Sequence, residues 1–181
     1  GYVRSYNRGG VGSATRLLGY ASAILDGGDG ELNGGEGGSI SFEPDMDWTE
    51  GGHGLYVYTN VSSTGGNSAT LNAGNGGSIE FRPELNEVEL GLAAVENVII
   101  EGTIDLSGGD GVAGGNGGGI FASDFCRPAI SATGIRVGGT ITLDGGDGTD
   151  SGGGGAGRLF LITARGAVTV SGTIHSVGGA S

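Results

Sequence analysis

Three stretches in the second half of the chain share one phrase: Val98-Ile-Ile-Glu-Gly-Thr-Ile-Asp-Leu-Ser-Gly-Gly109, Ile135-Arg-Val-Gly-Gly-Thr-Ile-Thr-Leu-Asp-Gly-Gly146 and Val168-Thr-Val-Ser-Gly-Thr-Ile-His-Ser-Val-Gly-Gly179. The Gly-Thr-Ile triplets begin at Gly102, Gly139 and Gly172, so they recur after 37 and then 33 residues. Spacings of this size belong to stacked supersecondary units that bury a core only against their neighbours. The repeat decides the architecture and leaves the biochemistry open, because one scaffold can carry many activities.

Composition agrees with a thin, layered structure. Glycine supplies 45 of 181 residues against 3 prolines, without a strict three-residue period, which excludes collagen and argues against a Pro/Gly-rich disordered tract. Apolar residues make up 36% of the chain, little for one conventional core, but Ile, Val and Leu fall in short alternating clusters as half-buried strands require. Twenty acidic residues face 8 basic ones, all arginine, for a net charge of −12. Such a charge repels phosphate backbones and anionic membranes, so nucleic acid is not an expected partner. Cys126 is the sole cysteine, so an intrachain disulfide is excluded. No apolar run approaches the roughly 18 residues that span a bilayer. The first residue is Gly1, which a removed leader or excision from a longer chain would explain.

Between the apolar clusters lie aligned glycine cassettes. Gly27–Gly38 reads GGDGELNGGEGG, Gly108–Gly119 reads GGDGVAGGNGGG, and Gly145–Gly157 reads GGDGTDSGGGGAG. Strands are expected before them at 23–26, 103–107 and 140–144, and after them at 39–43, 120–123 and 159–164. A shorter cassette, Ala73–Gly77, is expected between strands at 69–72 and 78–82. With the stub at Gly178-Gly179, the reading is an all-β parallel β-solenoid of about five rungs. Its strands pair from rung to rung at about 4.8 Å with apolar residues inward. Its cassettes stack as polyproline-II-like segments, because glycine has no Cβ to hold two backbones apart.

The whole chain, 1–181, reads as one repeat domain. Residues 1–22 form an N-terminal arm and a first partial rung, and 44–68 an irregular insertion in which Leu55–Val61 alternates like a strand. Residues 83–97 read as a strand or short helix.

Several residues are candidates for chemistry. Asp29, Asp110 and Asp147 would stack in a column, where like charges repel unless neutralised. Calcium is the expected cation, with Asp150 as a further ligand because Gly145–Asp150 resembles a calcium-binding nonapeptide repeat. Otherwise no cofactor is implied. Trp48 with Tyr56 and Tyr58 offers an aromatic platform for a glycan, and Asn60-Val-Ser62 is an N-glycosylation sequon. His53 and His175 share no obvious partner, no nucleophile elbow occurs, and the chain is not expected to be an enzyme. Thr103, Thr140 and Thr173 recur at one repeat position, as an ice-binding face would require. The segment carrying Tyr2, Val3, Arg4, Tyr6 and Arg8 fits no repeat and is expected to act as a donor arm in assembly.

Ala73-Gly-Asn-Gly-Gly-Ser-Ile-Glu-Phe-Arg82 resembles the glycine-rich N-terminal domain of the Obg GTPases over about ten residues. The chain has no lysine for a phosphate loop, so GTPase activity does not carry over. From Ala23 onward the alternation of apolar phrases with glycine runs is similar to the glycine-rich parallel β-helix repeats of bacterial cell-surface and secreted proteins. That resemblance implies an extracellular location and a structural role. The expected function is a subunit of an extracellular filament or surface matrix, a homo-oligomer built through open ends or the N-terminal arm. A carbohydrate-binding adhesin or phage-type receptor-binding tip, with a glycan as partner, is the alternative, and an ice-binding solenoid a minor one.

Overall fold

A computed structural model describes residues 2–8, 15–17, 22–45, 53–58, 60–81, 95–122, 134–161 and 167–181. The described elements are strands, met in five passes of three. The first pass holds β1 (Tyr2–Arg8), β2 (Thr15–Leu17) and β3 (Ala23–Ile24), and the second β4 (Ser39–Asp45), β5 (His53–Tyr58) and β6 (Val61–Ser62). The third holds β7 (Ser78–Phe81), β8 (Val95–Glu101) and β9 (Thr103–Asp105). β10 (Gly119–Ala122), β11 (Gly134–Val137) and β12 (Thr140–Thr142) make the fourth, and β13 (Arg158–Leu161), β14 (Ala167–Val170) and β15 (Thr173–His175) the fifth. Each pass gives one strand to each of three five-stranded sheets, ordered β1-β4-β7-β10-β13, β2-β5-β8-β11-β14 and β3-β6-β9-β12-β15. Neighbouring strands are parallel throughout. None of the sheets closes on itself, so the first and fifth passes form their edges. No helix among the described residues is long and apolar enough to cross a membrane.

The register turns the sequence alternation into columns. In the first sheet Ile40, Ile79, Ile120 and Leu159 lie opposite one another. In the second, Ile100, Val137 and Val170 do so, and in the third Val61, Ile104, Ile141 and Ile174. These columns meet in one apolar cluster that also takes in Leu106 and Leu143, and members from all three sheets are 0–3% exposed. Burial of such a side chain stabilises by about 1.5–3 kcal/mol. Three faces therefore share a narrow core, which is why a modest apolar content suffices.

The glycine of each Gly-Thr-Ile triplet has a specific duty. Gly102, Gly139 and Gly172 have φ of 143°, 88° and 109°, where side chains are strained, at the corner between the second and third sheets. They also stack: a Cβ on Gly139 would lie 2.2 Å from the Gly102 carbonyl oxygen, and one on Gly172 2.2 Å from that of Gly139.

Several expected boundaries move. The pre-cassette strands are shorter, ending at Ile24, Asp105 and Thr142. Residues 69–72 form no strand; they are the tip of a full-length cassette that starts at Gly65-Gly66-Asn67, in step with Gly27-Gly28-Asp29. The expected insertion at 44–68 accordingly supplies regular structure, since β5, β6 and the start of this cassette fall within it. Residues 46–52 and 82–94 lie outside the described residues, and Val95–Asn97 opens β8. The N-terminal segment, expected to fit no repeat, is β1, paired in register with β4 from Tyr2↔Ser39 to Arg8↔Asp45.

Candidate functional site

The cassettes are the most distinctive surface of the molecule, and their backbone comes first. Each runs outward along one arm and returns along another, and both arms stack on those of the next pass. Gly35 donates to the Gly28 carbonyl, Gly66 to Gly35, Gly74 to Gly66, Gly109 to Gly74, Gly115 to Gly109, Gly146 to Gly115, Gly154 to Gly146 and Gly179 to Gly154, all at 2.8–3.0 Å. This spine of hydrogen bonds zigzags between the two arms through all five passes, and every residue in it is glycine. A Cβ on Gly66 would sit 2.2 Å from the Gly28 oxygen, and one on Gly74 1.9 Å from that of Gly35. Contacts that short exclude any side chain, so the glycine content is the condition for the spine to form.

Side-chain oxygens complete what the spine leaves unpaired. Asp29 Oδ1 accepts the backbone N–H of Asn67 at 2.7 Å, Asn67 Oδ1 that of Asp110 at 2.8 Å, Asp110 Oδ1 that of Asp147 at 2.7 Å, and Asp147 Oδ1 that of Ala180 at 2.7 Å. On the return arm Glu36 accepts the N–H of Asn75 at 3.2 Å, Asn75 that of Asn116 at 2.8 Å, and Asn116 that of Gly155 at 2.8 Å. A third column starts at Asp26, whose Oδ1 accepts the Thr64 N–H at 2.9 Å and the Ser62 hydroxyl at 2.7 Å. At its far end Asp144 Oδ1 accepts the Val177 N–H at 2.8 Å, while its Oδ2 lies 2.6 Å from His175 Nδ1. Between these, Ser107 sits above Thr64, which has no carboxylate to offer; its N–H turns to Asp105 Oδ1 at 3.1 Å instead.

The expected aspartate column therefore exists with a different composition, and its side-chain oxygens accept backbone N–H groups of the next pass. Asn67, which the sequence reading left out, stands between Asp29 and Asp110 and makes the same bond as they do. Asp and Asn both supply the oxygen that accepts the N–H at this position. Repulsion is interrupted by the neutral Asn67 and offset by the N–H that each carboxylate accepts. Asp150 is not in this column: it lies at a cassette tip, its N–H bonded to the Val112 carbonyl at 3.2 Å. Among the described residues no group of three or more His, Cys, Asp or Glu is placed to hold a metal ion.

The remaining candidates are scattered. Tyr2, Val3, Arg4, Tyr6 and Arg8 lie on β1 at the edge of the first sheet, and Tyr56 and Tyr58 on β5, next to the edge strand β2 of the second. Trp48 lies outside the described residues. Asn60 accepts the Thr103 N–H on its Oδ1 at 3.0 Å. Thr103, Thr140 and Thr173 are stacked in register and exposed. The residues that sequence reasoning missed are Asp26, Glu36, Asn67, Asn75, Asn116 and Asp144. Their signal is common to nearly all of them, an acidic or amide side chain directly before a glycine.

The fifth pass presents an apolar edge. Val168 and Val170 are 43% and 48% exposed, whereas Ile135 and Val137, one pass earlier in the same columns, are 2% and 0% exposed. No family model, no curated protein and no solved structure matches this chain.

Proposed function

We propose that the three sheets wind as a parallel β-solenoid of five turns with polyproline-II-like glycine cassettes, and that the protein is a structural subunit of an extracellular filament or surface matrix. The reading is carried by the exposed apolar edge of the fifth pass, Val168 and Val170, whose partners one pass earlier, Ile135 and Val137, are buried. A second copy laid on this edge, its first pass taking the place of a sixth, covers them and pairs the free strand edges in the parallel sense used throughout. A contact between unlike ends does not close, so it propagates into a fibre. The zigzag glycine spine supports the same reading, because hydrogen bonds directed along the stacking axis suit a part that bears load. The likeness to bacterial surface β-helix repeats supports the extracellular setting.

The test is negative-stain electron microscopy of the purified chain over a range of concentrations, with and without calcium. Unbranched fibrils that lengthen with concentration are expected. Discrete short particles at every concentration would leave the edge to another occupant and overturn the filament. Fibrils that form only with calcium would assign a cation to Asp110 and Asp147, neighbours in the column.

A further inference from the structure

The sequence contains three Asn-Gly pairs, at Asn33, Asn75 and Asn116, and five Asp-Gly pairs, at Asp26, Asp29, Asp110, Asp144 and Asp147. Chemically these are the weakest points of a polypeptide. The backbone nitrogen after the Asn or Asp, unhindered when it belongs to glycine, loses its proton and attacks Cγ. A C–N bond forms, ammonia leaves from Asn or water from Asp, and water then opens the cyclic imide to aspartate or isoaspartate. All eight pairs lie in the cassettes or at their first glycine, so a chain of this composition should age quickly.

In the fold every one of these nitrogens is engaged. Gly34 donates to the Asn72 carbonyl at 2.9 Å, Gly76 to Asn116 at 2.8 Å and Gly117 to Gly155 at 2.9 Å. Gly27 donates to Thr64 at 2.8 Å, Gly30 to Asn67 at 3.0 Å, Gly111 to Asp147 at 3.0 Å, Gly145 to Val177 at 2.8 Å and Gly148 to Ala180 at 2.9 Å. All eight acceptors belong to the following pass, so the proton that each nitrogen must lose before it attacks is held in a hydrogen bond between passes. For Asn75 and Asn116 the side chain is held as well, Oδ1 accepting an N–H of the next pass.

We propose that stacking of the cassettes is also chemical protection: it withholds the backbone nitrogens that would cyclise on these eight residues, so deamidation and isomerisation proceed only through local opening of the stack. This inference holds for a single copy and is independent of whether copies assemble.

The experiment is site-resolved mass spectrometry of the intact chain, incubated at pH 8 either folded or unfolded in urea, with isoaspartate scored separately. Deamidation at Asn33, Asn75 and Asn116 should be at least about tenfold slower in the folded protein, the suppression that even a modest opening free energy gives. Among the three sites, the order of reaction should follow the hydrogen-exchange order of the Gly34, Gly76 and Gly117 amides. Folded and unfolded chains deamidating at equal rates would overturn the proposal, as would site rates unrelated to exchange of those three amides.

Discussion

Asp110 Oδ1 accepts the backbone N–H of Asp147, 37 residues away in sequence, at 2.7 Å. The geometry explains why Asp and Asn alternate freely at this cassette position, since the amide needs an oxygen at that distance and either residue supplies one. Replacing Asp110 by Asn should therefore change stability little, while Asp110→Ala should cost about 1 kcal/mol, the net worth of one such bond. Urea unfolding of the two variants separates the cases. Equal losses would mean that the charge itself matters at this position.

Gly66 tests the spine. Its Cβ would fall 2.2 Å from the Gly28 carbonyl oxygen, and neither backbone can yield without breaking hydrogen bonds on both sides. Gly66→Ala should destabilise by about 3 kcal/mol or more, in the range of severe overpacking, and should lower the thermal midpoint by several degrees.

Gly28 occupies the same column one pass earlier, and nothing lies within 4 Å of a Cβ built there. In a single copy Gly28→Ala should be neutral or slightly stabilising, by up to about 0.5 kcal/mol from the reduced freedom of the unfolded chain. In a stack of copies the same methyl would meet the carbonyl of the copy beneath, as Gly66 meets Gly28. The variant should melt normally and fail to elongate, and sedimentation velocity reads both the monomer and the fibre. Normal elongation would remove this face from the proposed junction.

Val170 and Val137 make a matched pair across β14 and β11. With Val170 48% exposed and Val137 fully buried, Val170→Asp should leave the monomer folded and abolish fibrils, whereas Val137→Asp should unfold the chain by burying an unpaired charge. Circular dichroism with electron microscopy distinguishes the outcomes.

Acid sensitivity should concentrate at Asp26. Burial pushes its carboxyl upward, but the Thr64 N–H and the Ser62 and Thr64 hydroxyls outweigh this and hold it below its ordinary value. A folded-state value below the unfolded one means that the contribution is complete above the ordinary carboxylate range, about pH 4. It is lost as pH falls through the lower folded value. Urea midpoints measured from pH 6 to pH 2 should fall less steeply for Asp26→Asn than for the parent; identical profiles would remove Asp26 from the acid response.

Much of this protein was decided locally. The Gly-Thr-Ile triplets set the period of the repeat, and the alternation of Ile104, Ile141 and Ile174 with polar neighbours placed them inward before any strand was paired. The glycine runs announced backbones in contact. What sequence alone could not decide was which residues face each other across a gap of 33 to 43 positions. Gly65-Gly66-Asn67-Ser68 lacks the Asp-Gly ending of the other cassettes, so its arm passed for part of an insertion until the pairing of Gly30 with Ser68 set the step. The role of Asp110 likewise stayed hidden. A carboxylate beside glycine looks alike whether it meets a cation, water or an amide, and only the stacking of one pass on the next brings the N–H of Asp147 within its reach.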